Sequence, residues 1–240
     1  VGFCGGGGTP LLAATEIEWL SPQSEYRPTE YIQGWMSFWF QDHKRLQAAK
    51  VFQFSRIRYL EQVWSKDRDL RAEGFTIDDS TIQSALSTFL ARTERASKVS
   101  ELLQIEAQLT KQLYKTAANH TQYDGFTRER DAQDTANAFL NHGNYLAYGL
   151  AATTLWVLGI PHGFAVMHGK TRRGALVFDV ADLIKDALVL PWAFICAKEG
   201  ASEQEFRQQC LQAFTNHKAL NFMFDQVKSV ALTTDWTSEP

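Results

Sequence analysis

Cysteine is scarce in this chain of 240 residues. Cys4, Cys196 and Cys210 are too few and too scattered for a disulfide framework or a paired-cysteine zinc site. A reducing, cytoplasmic setting is therefore expected. An excess of positive charge is also absent: 24 Lys and Arg face 27 Asp and Glu, a formal net charge of -3. That excludes the whole-surface basic field of a protein that coats nucleic acid, so any DNA binding must come from local patches or partner subunits. No long hydrophobic run is present. The uncharged stretch from Tyr145 to Pro161 is shorter than the ~20 apolar residues of a spanning helix and carries Gly149, Thr153 and Thr154. It reads as a buried helix. No secretory leader pattern is recognisable. Val1-Gly-Phe-Cys4 reads as the end of a buried strand, so an N-terminal portion is expected to be missing.

With 45% hydrophobic and 21% charged residues, the chain can bury a full core, and disorder is not expected. Residues 1–20, with a glycine run at Gly5 to Gly8 and the alternating Thr15-Glu-Ile-Glu-Trp19, look like the tail of a β-rich region. Residues 21–28 contain Pro22 and Pro28, each of which pushes its predecessor out of the α region, and are assigned to a linker. From residue 29 to 240 the periodicity is helical. Ile32, Trp35, Met36, Trp39, Leu46 and Ala49 step by threes and fours, as do Ile57, Leu60 and Trp64. Further helices are predicted over 80–92, 100–118, 137–158, 179–197 and 203–230. The fold class is mainly α: a helical catalytic domain preceded by the remnant of a β-rich domain. The aromatic-rich segment from Trp35 to Phe54 is expected in the core rather than on a partner surface.

The chemistry concentrates where charge interrupts that pattern. After Ser100 an apolar stripe reads Leu102, Glu106, Leu109, Leu113, so a carboxylate occupies a core-facing position. A buried ionised Glu needs a cation, a metal or a proton; a salt bridge to an arginine, or a Glu kept neutral, is its plainest explanation. Asp179 and Asp182 lie three residues apart, with Asp186 four further on, so one helix face can carry all three. Asp179 ends the apolar run Ala175-Leu-Val-Phe178 and is predicted to be an N-cap. Asp186, beside Lys185, reads as solvated or ion-paired. Asp182 has no such easy account. His162 follows Pro161 in a turn, and His168 ends the run Phe164-Ala-Val-Met167. Either imidazole alone is commonly structural, but no acid occurs between Thr135 and Phe178, while Lys170, Arg172 and Arg173 lie between His168 and the aspartates. Such a patch can receive a phosphate backbone, although a solvated basic turn is the default reading of it alone.

Two motifs mislead. Gly163 to Thr171 mimics a phosphate-binding loop but has five residues between its glycines instead of four, and bulky side chains block the backbone N–H groups. The glycine run at 5–8 lacks a following Lys and hydroxyl residue. No Gly-x-Ser-x-Gly or Cys-His arrangement offers a covalent nucleophile.

Gly2-Phe-Cys-Gly-Gly-Gly-Gly-Thr-Pro10, Pro22 to Pro28, Asn141-His-Gly-Asn-Tyr145, Gly159-Ile-Pro-His-Gly163, His168 to Arg173 and Phe178 to Asp186 together resemble the CRISPR adaptation integrases of the type I-F subtype, in the right order and over nearly the whole chain. The resemblance implies a β-rich dimerising domain and a helical domain with a divalent metal held by Glu106, His168 and Asp182, with Asp179 a further acid kept at the site. An oxygen-rich set with one imidazole suits Mn²⁺ or Mg²⁺. The implied reaction is insertion of spacer DNA into the CRISPR array by 3′-hydroxyl attack on repeat phosphodiesters. Lys170, Arg172 and Arg173 are candidates for holding phosphates, with Lys111, on the helix of Glu106, assisting. The implied partners are a second copy and a small ferredoxin-like adaptor fused to the interference helicase-nuclease. Two rival expectations stand beside this one: a non-catalytic DNA-binding scaffold in which the acids are caps and ion pairs, and a metal-dependent phosphodiesterase without strand transfer.

Overall fold

Asp67, Asp79, Asp134 and Ser202 each accept backbone N–H bonds at a helix start, and these four caps punctuate much of the architecture. The computed structural model describes residues 11–12, 17–19, 28–129, 131, 134–169 and 174–236. Cys4, the glycine run, the proposed linker up to residue 27 and the basic residues Lys170, Arg172 and Arg173 lie outside them. β1 (Leu11–Leu12) and β2 (Ile17–Trp19) pair antiparallel, with Leu11 opposite Trp19. Every other regular element among the described residues is helical.

α1 (Glu30–Trp39) and α2 (Asp42–Lys66) divide the first aromatic stretch, which the sequence left as a pair or one long helix. The short α3 (Arg68–Ala72) starts where the Asp67 carboxylate accepts from Asp69 and Leu70 at 3.0 and 3.1 Å. α4 (Ser80–Arg95), α5 (Val99–Thr121) and α6 (Thr135–Val157) fall close to their predicted spans. α7 (Ala175–Ile184) runs without interruption into a π-helical segment, Lys185–Val189, and then into α8 (Leu190–Glu199). α9 (Glu203–Asn216) and α10 (Ala219–Leu232) correct the expectation of one helix over 203–230, because Lys218 takes a left-handed conformation at φ 52°.

α6 and α7 form the centre, with α2 and α10 against α7 and α8 against α6. The approach of α6 to the π segment is close enough to require glycine: a Cβ on Gly143 would meet Val189 Cγ1 at 2.5 Å and Phe206 at 3.0 Å. Gly34 is equally constrained, its Cβ position falling 1.9 Å from the Ala231 carbonyl oxygen where α1 crosses α10. Trp35, Phe38, Phe52 and Trp64 are buried as expected, while Phe40 is 65% exposed. The indoles also work as donors: Trp35 Nε1 reaches the Phe164 carbonyl at 2.9 Å, Trp39 Nε1 that of Ala165 at 2.7 Å, and Trp64 Nε1 that of Ala187 in the π segment at 3.0 Å. α1 and α2 thereby hold the two stretches on which the chemistry concentrates.

Candidate metal centre

Glu106 sits on α5 with Leu102 and Leu109 buried on either side of it, so its carboxylate is carried toward α2 and α7. His168 ends the turn that α1 anchors. Asp182 projects from the last turns of α7. One ligand atom from each of Glu106, His168 and Asp182 lies within 4.8 Å of the others, and Asp182 Oδ2 is 3.8 Å from His168 Nε2.

Asp179 does not cap α7, which corrects the sequence expectation. The N-cap is Gly174, in the left-handed conformation at φ 64°, and α7 already contains Asp179. Its carboxylate instead receives the backbone N–H groups of Val166, Met167 and His168 at 2.7, 3.1 and 3.0 Å and the His168 Nδ1 at 2.7 Å. A carboxylate 3% exposed has thus wrapped the turn around itself and fixed the ring. With Nδ1 engaged, Nε2 faces Asp182, the arrangement by which an outer carboxylate orients a ligating imidazole.

Two cations absent from the sequence expectations complete the cluster. Arg56 of α2 donates through Nε to Asp186 Oδ2 at 2.7 Å, pairs through Nη1 with Glu106 Oε1 at 3.2 Å, and reaches Thr110 Oγ1 at 3.1 Å and Gln53 Oε1 at 3.4 Å. Lys185 pairs with Asp182 and lies 5.3 Å from the centre of the Tyr148 ring. Asp186 is therefore ion-paired, and buried at 5% exposure. Arg56 was legible in principle, as it interrupts the buried stripe of Phe52, Leu60 and Val63 just as Glu106 interrupts its own. Lys185 carried no signal beyond its neighbours.

Burial pushes the Glu106 carboxyl above its ordinary range, the nearby Asp182 charge adds to this, and Arg56 only partly opposes it. Burial also acts to raise Asp182, but Lys185, then Arg56 and His168, outweigh it and hold that carboxyl low. For His168 burial favours the neutral ring, yet the Asp179 bond and the Asp182 charge prevail and raise it. The two carboxylates are thus driven apart in proton affinity by their surroundings.

The donor set passes the test for a hard divalent ion: two carboxylates and one oriented imidazole converge, and no thiolate is among them. A chamber of about 50 Å³, lined by Arg56, Glu106, Asn144, Asp182, Lys185 and Asp186 among others, adjoins them. That is room for an ion with a few waters. Lys111 is exposed five residues along α5 and lines a separate, larger cavity. His162 is half-buried, donates no ligand to the cluster, and accepts the Leu176 N–H through its carbonyl at 3.0 Å.

A helical frame that brings two carboxylates and a positioned imidazole to one point offers the donor chemistry of a carboxylate–histidine metal site. The family described as CRISPR associated protein Cas1 matches residues 21–227, and the chain belongs to that family. CRISPR-associated endonuclease Cas1 of Pseudomonas aeruginosa (strain UCBPP-PA14) is 55% identical, over 96% of this chain and 73% of its own length. The protein of the same name from Pectobacterium atrosepticum is 56% identical over the same shares. Among solved structures, a Cas1 protein from Thermotoga maritima superposes with a TM-score of 0.71 at 16% identity, covering 94% of this chain and 77% of that one. A casposase bound to its integration product gives 0.65 at 14% identity, with 92% and 71% covered. At these identities the two structures establish the shared fold.

Proposed function

We propose that this chain is a CRISPR adaptation integrase: a metal-dependent DNA endonuclease and strand transferase that inserts spacer DNA into the CRISPR array. The observation that carries the reading is the convergence of Glu106, His168 and Asp182 within 4.8 Å, inside a chain of the Cas1 family. Those three residues would hold Mn²⁺ or Mg²⁺, which when bound supplies Lewis-acid stabilisation of a phosphodiester oxygen and lowers the pKa of an attacking hydroxyl or water.

The chain's own residues do the rest. Asp179 keeps Nε2 of His168 directed into the cluster. Arg56 holds Glu106 in place while Asp186 offsets most of its charge, leaving Glu106 free to act as a ligand. Lys185 stands beside Asp182 with its proton firmly held, since the Asp182 charge overcomes the effect of burial, so it is a fixed cation next to an anionic backbone. Lys111, with Lys170, Arg172 and Arg173, is assigned to phosphate contacts. Residues 1–20 are read as the end of a β-rich domain, 21–28 as a linker and 29–240 as the catalytic domain. The working assembly is a homodimer on spacer and repeat DNA with the ferredoxin-like adaptor, in the cytoplasm; among the described residues no helix is long and apolar enough to cross a membrane.

The Arg56–Glu106 pair favours one rival, a scaffold in which Glu106 is structural. Joining of a labelled 3′-hydroxyl duplex to a repeat-containing target, with Mn²⁺ and the adaptor present, separates the readings. Product with wild type that vanishes in Glu106→Ala and His168→Ala, both folded, supports the integrase. Equal product in all three makes these residues structural, and metal-dependent cleavage without joining leaves a nuclease.

A further inference from the structure

Arg56 finds an acceptor for each of its five N–H groups inside the centre. Nε donates to Asp186 Oδ2 at 2.7 Å, and Nη2 serves Asp186 again together with Thr110 Oγ1 at 3.1 Å. Nη1 faces two acceptors, Glu106 Oε1 at 3.2 Å and Gln53 Oε1 at 3.4 Å. A guanidinium only donates, so the end that Gln53 turns toward it must be the amide oxygen. The amide nitrogen then points the other way, where it meets Met167 Sδ at 3.2 Å. A thioether only accepts, so both ends of the amide are matched and the reversed orientation would satisfy neither. Gln53 and Met167 are buried, so an amide that lost either partner would find little solvent to replace it.

This one side chain joins two arms of the centre. Met167 directly precedes His168, and its backbone N–H lies on Asp179 at 3.1 Å. Gln53 and Arg56 stand one helical turn apart on the same face of α2. Glu106, Arg56, Gln53 and Met167 therefore form a continuous chain of polar contacts from one candidate ligand to the neighbour of another. The His168 turn is also anchored to α1 by two indoles and to α7 by the Asp179 carboxylate. Neither anchor refers it to α5, which carries Glu106. Gln53 supplies that reference.

We propose that Gln53 is a positioning residue of the metal centre: its amide sets the separation between the His168 turn and the Arg56–Glu106 pair, so that imidazole and carboxylate meet on the same ion. Gln53 itself is no ligand and touches no substrate. The proposal rests on the metal-dependent reading for its ion, Mn²⁺ or Mg²⁺. Groups that orient ligands in this way change metal affinity by about 10–100-fold, and a weak sulfur acceptor places Gln53 at the lower end.

The test is calorimetric titration of the protein with Mn²⁺, joined to pulsed EPR of the Mn²⁺-loaded form, in which a ligating imidazole shows as nitrogen hyperfine coupling. Gln53→Leu removes both bonds; Met167→Leu keeps the bond to Arg56 and removes only the sulfur. Each should weaken Mn²⁺ binding roughly tenfold and reduce the nitrogen coupling. The double variant should bind no more weakly than the worse single one, because both changes break the same link. Ser55→Ala breaks a 2.6 Å bond to Gln226 from another face of α2 and should bind Mn²⁺ like wild type, which separates positioning from a general loss of stability. If Gln53→Leu does not fold, the volume-conserving Met167→Leu still decides the matter. Affinity and coupling unchanged in the folded single variants, or losses that multiply in the double variant, overturn the proposal and leave the metal centre standing. Wild type that binds Mn²⁺ no better than His168→Ala, and without nitrogen coupling, removes the metal centre and the proposal with it.

Discussion

Replacing Arg56 by Met removes the cation that three parts of the centre share. Asp186, 5% exposed, would lose its only charged partner among the described residues, the Nε bond at 2.7 Å included; Glu106 would lose its 3.2 Å pairing, and Thr110 and Gln53 one bond each. Breaking a buried pair from one side costs about 3–5 kcal/mol, because the remaining charge stays desolvated. The methionine chain fills most of the space, so little of this is a cavity cost. In a domain of this size ~1 kcal/mol moves the melting temperature by roughly 2–4 °C, giving an expected fall of about 6–20 °C. Urea denaturation in EDTA measures it without interference from bound metal. Asp186→Asn alone should also destabilise, and adding it to Arg56→Met should recover part of the loss, with a coupling of ~1–3 kcal/mol. A single-variant cost under about 1 kcal/mol, or strictly additive variants, would show that the buried charges are solvated and that Arg56 organises nothing.

Asp179→Asn should fold but bind Mn²⁺ about 10–100-fold more weakly, since an amide no longer fixes the His168 ring; calorimetric titration reads this, and unchanged affinity would remove Asp179 from the site. Saturating Mn²⁺ at about a hundred times its Kd should stabilise wild type by ~2.7 kcal/mol in thermal melts and leave Glu106→Ala unmoved. Burial lowers the His162 pKa, against a smaller opposing contribution from a backbone bond with Ala152. The unfolded chain then binds the extra proton. Stability from His162 is thus complete above the unfolded value of ~6.5 and is lost as pH falls toward the folded one. His162→Asn should flatten the acid limb between pH 7 and 5; an unaltered slope refutes the assignment. Gly143→Ala should cost about 1–3 kcal/mol by overpacking Val189 and Phe206, and a neutral result in denaturation would mean that α6 and the π segment separate freely.

Much of the fold was readable because α4, α5 and α6 each carry one clean apolar stripe. Predicted spans of 80–92, 100–118 and 137–158 compare with Ser80–Arg95, Val99–Thr121 and Thr135–Val157. Where the prediction failed, the cause lay in tertiary partners. The break at Lys218 has no glycine or proline to announce it; it is held from outside by Tyr59, whose hydroxyl donates to the His217 carbonyl at 3.1 Å, and by the His217 Nε2 contact with Asp67 at 2.7 Å. The π segment was hidden because Ala187 to Leu190 is buried throughout and shows no period. Asp179 looked like a cap because it follows an apolar run, yet the N–H groups it accepts lie 11 to 13 residues upstream. At the candidate centre, Glu106 stands out as a charge on an apolar face and Asp182 as an acid that neither a cap nor a neighbour explains, and the structure places them beside His168. Arg56 gives the same kind of signal on α2, masked by the aromatics around it.

Two indole N–H groups on α1 grip consecutive carbonyls, Phe164 and Ala165, four and three residues before His168. The imidazole is therefore referenced to α1 as much as to the helix that carries Asp182. A tilt of α1 would be passed through two hydrogen bonds and a short turn to the Nε2 that faces Asp182. A displacement of α1 thus has a direct hydrogen-bonded route to the His168 turn, beside its packing routes through α2 and α10 to α7.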